Sequence, residues 1–89
     1  MRAVKIRIRG KVQGVAYRAY AARKAKSLHL SGWIRNEDDG SVYAEAEGPD
    51  EAIEAFIAWT RQGSPLARVE EVQVEPMPPQ GFQDFRIVR

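Results

Sequence analysis

The segment Val4-Lys5-Ile6-Arg7-Ile8-Arg9 alternates branched apolar and cationic residues without a break. A period of two puts Val4, Ile6 and Ile8 on one face of a strand and Lys5, Arg7 and Arg9 on the other. Such a strand belongs to a sheet with one covered face and one wetted face, so the rest of the chain must supply the cover. The 89 residues suffice for one core and not for two, and the whole chain, 1–89, is read as a single domain.

The covering layer is legible downstream. Tyr17, Ala21, Ala25 and Leu28 recur on one helical face, with Arg23, Lys24 and Lys26 outside it, and Ser31-Gly32 is expected to end that helix. In WIRNEDDGSVYAEAEG, Asp39-Gly40 marks a tight turn between two extended runs and predicts a hairpin. Val42, Ala44 and Ala46 are expected to face inward, and Tyr43, Glu45 and Glu47 outward. Pro49 suits a first helical turn. Ile53, Phe56 and Ile57 then form the buried stripe of a second helix, with Glu51 and Glu54 near its positive end and Gly63-Ser64-Pro65 as its stop. Val72 and Val74 alternate with Glu71, Gln73 and Glu75 as a fourth strand, PMPPQG is a connector, and FQDFRIVR holds a short last strand. The expected architecture is an α+β sandwich in the order β-α-β-β-α-β. Its sheet has two helices on one face and a short extra C-terminal strand.

Composition excludes several kinds of chemistry. There is no cysteine, which removes disulfides, thiolate catalysis, iron–sulfur clusters and cysteine zinc sites. With one histidine, no transition-metal site is expected. MRAVKIRIRG lacks the basic patch and apolar core of a signal peptide, and no window approaches the roughly 18 apolar residues of a membrane span. The expectation is a soluble, cytoplasmic protein with no membrane partner.

Charge is divided sharply. Residues 1–36 hold ten Lys or Arg and no acid, whereas residues 37–89 hold four and all twelve acids. Either the basic third meets an anion, or the two halves attract each other within the fold; charge alone leaves both open.

Where the first strand gives way to the first helix, the sequence reads GKVQGVAYR, Gly10 to Arg18. The first N–H groups of a helix have no intrahelical partners, and the helix dipole favours negative charge there. Gly14 can take a positive φ and lets backbone approach a ligand, and Arg18 can add a fork of donors matched to phosphate oxygens. A plain turn with a surface arginine would look similar. The spacing is not that of a P-loop, since no Gly-Lys-Ser/Thr follows, nor that of a dinucleotide fingerprint.

GKVQGVAYR resembles the signature of the acylphosphatase family, and GWIRN at 32–36, followed by Gly40, Val42 and Gly48, resembles its second signature. The two motifs stand in the right order and separation, and the resemblance covers nearly the whole chain. It implies a ferredoxin-like fold with a mostly antiparallel sheet, and hydrolysis of carboxyl–phosphate anhydrides without metal, cofactor or covalent phosphoenzyme. It also implies that Arg18 binds the phosphate, that Asn36 positions the attacking water, and that Gln13, Gly14, Val15, Ala16 and Tyr17 form the backbone cradle. The implied partner is a small-molecule acyl phosphate, and the implied state a monomer. Ile34 stands where Val or Ala is commoner, a conservative change. Ala16 stands where a bulkier group is frequent, which leaves substrate preference open.

Other residues carry plainer readings. Without the resemblance, Asn36 would be read as satisfying local backbone before a turn. His29 reads as a helix-end histidine, Asp38 and Asp39 as solvated turn residues, and Glu70-Glu71 as a solvated strand face. Trp33, Phe56 and Trp59 read as core or core-edge aromatics. Two rival functions remain. An RNA-binding sheet is disfavoured because the first strand exposes Lys5, Arg7 and Arg9 and the third only Tyr43. A phosphate-sensing domain of the kind carried by larger hydrogenase-maturation proteins is disfavoured because the chain ends at Arg89.

Overall fold

The computed structural model describes all 89 residues. Seven elements follow in order: β1 (Arg2–Lys11), α1 (Tyr17–Ser27), β2 (Ser31–Asn36), β3 (Val42–Gly48), α2 (Asp50–Gln62), β4 (Arg68–Met77) and β5 (Phe85–Ile87). They build one five-stranded sheet in the order β4-β1-β3-β2-β5. Every pair is antiparallel except β2 with β5, which run parallel, so the expected mostly antiparallel ferredoxin-like sandwich is the fold observed.

The alternation in β1 decides which face is covered. Val4, Ile6 and Ile8 are fully buried beneath the helices, while Lys5, Arg7 and Arg9 stay partly exposed on the far side. Val42, Ala44 and Ala46 join them from β3 and Ile34 from β2. Tyr17, Ala21 and Ala25 from α1, with Ile53, Phe56 and Ile57 from α2, complete one hydrophobic cluster. Alanine on α1 lets that helix approach closely, and Phe56 fills the centre against Phe85 and Trp59. No helix is long and apolar enough to cross a membrane.

Several expectations need correction. The first helix ends at Ser27, His29 with a φ of 58° turns the chain two residues later, and Ser31-Gly32 already lies in β2. Gly32 is required there for a different reason: a Cβ would sit 1.9 Å from the Glu45 carbonyl oxygen across the ladder. Pro49 occupies the N-cap position, one residue before the helix begins. Glu47 does not face water. It is buried, and its carboxylate accepts hydrogen bonds from the Gln80 and Gly81 amides at 2.7 and 3.1 Å, which ties the connector before β5 to the sheet. Trp33 belongs to the uncovered face, where it packs on Tyr43 at 5.4 Å and carries the Arg35 guanidinium over its ring. A tryptophan pointing away from the helices is stable there because the arginine covers its apolar surface.

Candidate active site

Between β1 and α1 the chain runs along the edge of the core, and its residues divide by direction. Val12, Val15 and Tyr17 are buried, whereas Gly14 and Ala16 are exposed. Two positive φ angles, 75° at Gly14 and 60° at Ala16, fold the segment into a concave loop. Gly14 adopts this conformation freely; for Ala16 it is strained. None of the main-chain N–H groups from Gly14 to Ala19 donates to a protein acceptor, and no side chain caps the helix. The first amide with a partner is that of Tyr20, bonded to the Ala16 carbonyl at 3.1 Å. Six consecutive donors at a positive helix end form a site suited to an anion.

A cleft of about 200 Å³ opens in front of these amides, lined by Val12, Gly14, Ala16, Tyr17, Arg18, Ala19, Asn36 and Ile87. The fold thus brings together Arg18 and Asn36, which are far apart in sequence. No carboxylate of the chain lies within ion-pair distance of Arg18, so its guanidinium is uncompensated. Other members of the basic third are matched internally: Arg2 with Glu54, Arg9 with Asp39 and Glu71, Arg35 with Glu37. The reading of the charge split as internal attraction therefore holds for these residues, and Arg18 is left without an acidic partner.

Asn36 closes β2, opposite Val42. Its Oδ1 is buried without a hydrogen-bond donor among the protein atoms. The reading of Asn36 as a local turn residue fails, because other side chains bond the turn. The Gln13 Nε2 donates to the Glu37 and Ser41 carbonyls at 2.8 and 2.9 Å, fastening the loop to the hairpin that carries Asn36. Asp39 accepts from the Ser41 amide and hydroxyl at 2.9 and 2.6 Å and from Arg9 at 3.1 Å. Gln13 is thereby placed as a brace whose side-chain nitrogen is already engaged. Val15 is buried and does not line the cleft, whereas Tyr17 does, and the Tyr17 hydroxyl donates to the Thr60 carbonyl at 2.8 Å inside the core.

Those bonds have a measurable pH consequence. The Ser41 hydroxyl, then the Ser41 amide, then Arg9 hold the Asp39 carboxyl at about 2. A group lowered in the folded state contributes stability that is fully present above its unfolded value of ~4 and is lost as pH falls towards the folded one. Asp39→Asn is expected to melt below wild type at neutral pH, with the gap closing between about pH 4 and pH 2. Melting curves across that range would show parallel lines if the carboxylate were idle.

A larger hollow of about 740 Å³ lies on the other side of Asn36, lined by Arg7, Arg9, Arg35, Glu37, Asp38, Asp39 and Arg89. It has no apolar wall, and Arg9 and Arg35 there are engaged by acids, so the smaller cleft with the open amides is the better-built site. No three His, Asp or Glu side chains gather into a set that could hold a metal ion.

Comparison with known proteins agrees with this geometry. A family model described as acylphosphatase matches residues 4–87. A Methylococcus capsulatus protein named acylphosphatase is 49% identical over 90 residues, covering 100% of this chain and 98% of that protein. The crystal structure of acylphosphatase from Bacillus subtilis superposes with a TM-score of 0.98 at 36% identity, covering 100% of both chains. Full-length HypF, in a phosphate- and nucleotide-bound form, matches with a TM-score of 0.89 at 32% identity; 99% of this chain aligns with 12% of that one.

Proposed function

The chain belongs to the acylphosphatase family, and from that membership we propose that it hydrolyses small-molecule acyl phosphates by in-line attack of water, with Arg18 and the loop amides holding the phosphate and Asn36 orienting the water. The observation that carries this reading is that one cleft is lined by an arginine without an acidic partner, by loop residues whose amides have no protein acceptor, and by Asn36.

The division of labour follows from the substrate. The leaving group is a carboxylate whose acid has a pKa of ~4, so it departs with the bonding electron pair and needs no general acid. What remains is to bind the phosphoryl dianion and aim a water at phosphorus. The water oxygen forms a P–O bond as the bond to the acyl oxygen breaks, and both water protons finish on the phosphate. Asn36 has no basic group, so it orients the water through its carboxamide without taking a proton, and a phosphoryl oxygen takes the proton. The loop amides are held in place by the backbone before reaction and, with the Arg18 charge, stabilise the oxygens over which charge spreads.

The test is phosphate release from benzoyl phosphate with and without excess EDTA. The expected result is hydrolysis far above the spontaneous rate, unchanged by the chelator. Phosphate bound in the loop without turnover would make this domain a phosphate-recognition module, and loss of activity in EDTA would overturn the metal-free mechanism.

A further inference from the structure

The loop is held from behind by a residue whose sequence context, Gly63-Ser64-Pro65, suggests only a helix stop. Ser64 is buried, and its hydroxyl donates to the Val15 carbonyl oxygen at 2.8 Å. Its place is fixed on both sides. The Ala67 amide donates to the Ser64 carbonyl at 3.0 Å, and at Gly63 an added Cβ would crowd the Tyr17 ring at 3.1 Å. We infer that Ser64 is the positioning residue of the anion loop, holding the Val15–Ala16 peptide so that the Ala16 N–H faces the cleft. This rests on the reading that the loop binds phosphate.

The argument is geometric. The chain contains no cis peptide bond, and in a trans peptide the C=O and the following N–H point in opposite directions. The Val15 carbonyl points inward to Ser64, so the Ala16 N–H points outward, where exposed Ala16 lines the cleft. That arrangement works against the local preference of the chain, because Ala16 has a φ of 60°. Rotating the Val15–Ala16 peptide by half a turn would move Ala16 out of the left-handed region to a negative φ. It would also withdraw the Ala16 N–H and turn the Val15 carbonyl oxygen, a negative dipole end, towards the phosphate. The Ser64 hydroxyl is the bond that this rotation must break, and without it the Val15 carbonyl is left in the interior with no other side-chain donor.

Three variants test the assignment: Ser64→Ala, Ser64→Ala combined with Ala16→Gly, and Ile53→Val as a core-weakening control distant from the loop. Phosphate titrations followed by the amide NMR signals of residues 14–17, together with KM and kcat for benzoyl phosphate and Tm, give the readouts. Ser64→Ala should weaken phosphate binding and raise KM on the order of ten-fold. Ile53→Val should lower Tm with phosphate binding unchanged. Glycine is unstrained at positive φ, so Ala16→Gly should recover most of the loss in the Ser64→Ala background. If Ser64→Ala lowers Tm alone, or if Ala16→Gly recovers nothing, the assignment is overturned. Should phosphate leave the wild-type loop amides unmoved, the phosphate-loop reading fails and takes this one with it.

Discussion

Replacing Arg18 with alanine is expected to lower kcat/KM for benzoyl phosphate by about three orders of magnitude or more, the range in which a transition-state arginine acts on phosphoryl groups. The size follows from its isolation. No acid is paired with Arg18, so its full charge is available to the substrate, and no second cation lines the cleft to replace it. Because the phosphoryl group is anionic before and during reaction, KM and kcat should both deteriorate, and inorganic phosphate should bind more weakly in parallel. Arg18→Lys tells charge from shape. Lysine keeps the charge but loses the planar fork, so it should recover part of the binding and little of the turnover. Steady-state kinetics and phosphate inhibition constants for the two variants check this. An Arg18→Ala variant within a few-fold of wild type would remove Arg18 from the mechanism.

Much of the fold is written in local periodicity, and much of the site is not. The alternation from Val4 to Ile8 survives into the structure because its apolar half is completely buried; so strict a pattern has a single solution. The spacing Tyr17-Ala21-Ala25 transfers for the same reason. Residues whose role depends on a partner distant in sequence carry no periodic mark. Glu47 alternates like a solvent-facing residue yet is buried, because the 78–81 connector folds over it and supplies two amide donors. Gln13 and Ser64 each bond a main-chain carbonyl on another element, and a carbonyl has no signature in the sequence. Trp33 looks like core by residue type, although its neighbours Gly32 and Ile34 point inward and place it on the open face by alternation. The physics of a strand–loop–helix junction points to Arg18 as a candidate anion-facing residue. Asn36 has no such mark: by residue type and position it is a turn asparagine, and only the motif around it suggests otherwise.

The structure removes that ordinary explanation for Asn36, and the energetic consequence is open to experiment. The Asn36 Oδ1 has no donor among the protein atoms, so the fold does not rest on a hydrogen bond to it. Folded chains retain such an atom where function requires it. Asn36→Ala should therefore cut kcat by roughly two to three orders of magnitude, as loss of one oriented hydrogen-bonding group does, while leaving KM within about two-fold. Tm should hold, because the substitution breaks no hydrogen bond within the protein. Asn36→Asp should not rescue turnover: its carboxylate can accept from water but brings negative charge against the phosphoryl oxygens, and KM should rise as well. A residue that merely braced the hairpin would behave in the opposite way, with activity and Tm falling together. A stable protein that binds phosphate normally and hardly turns over would assign the water to Asn36.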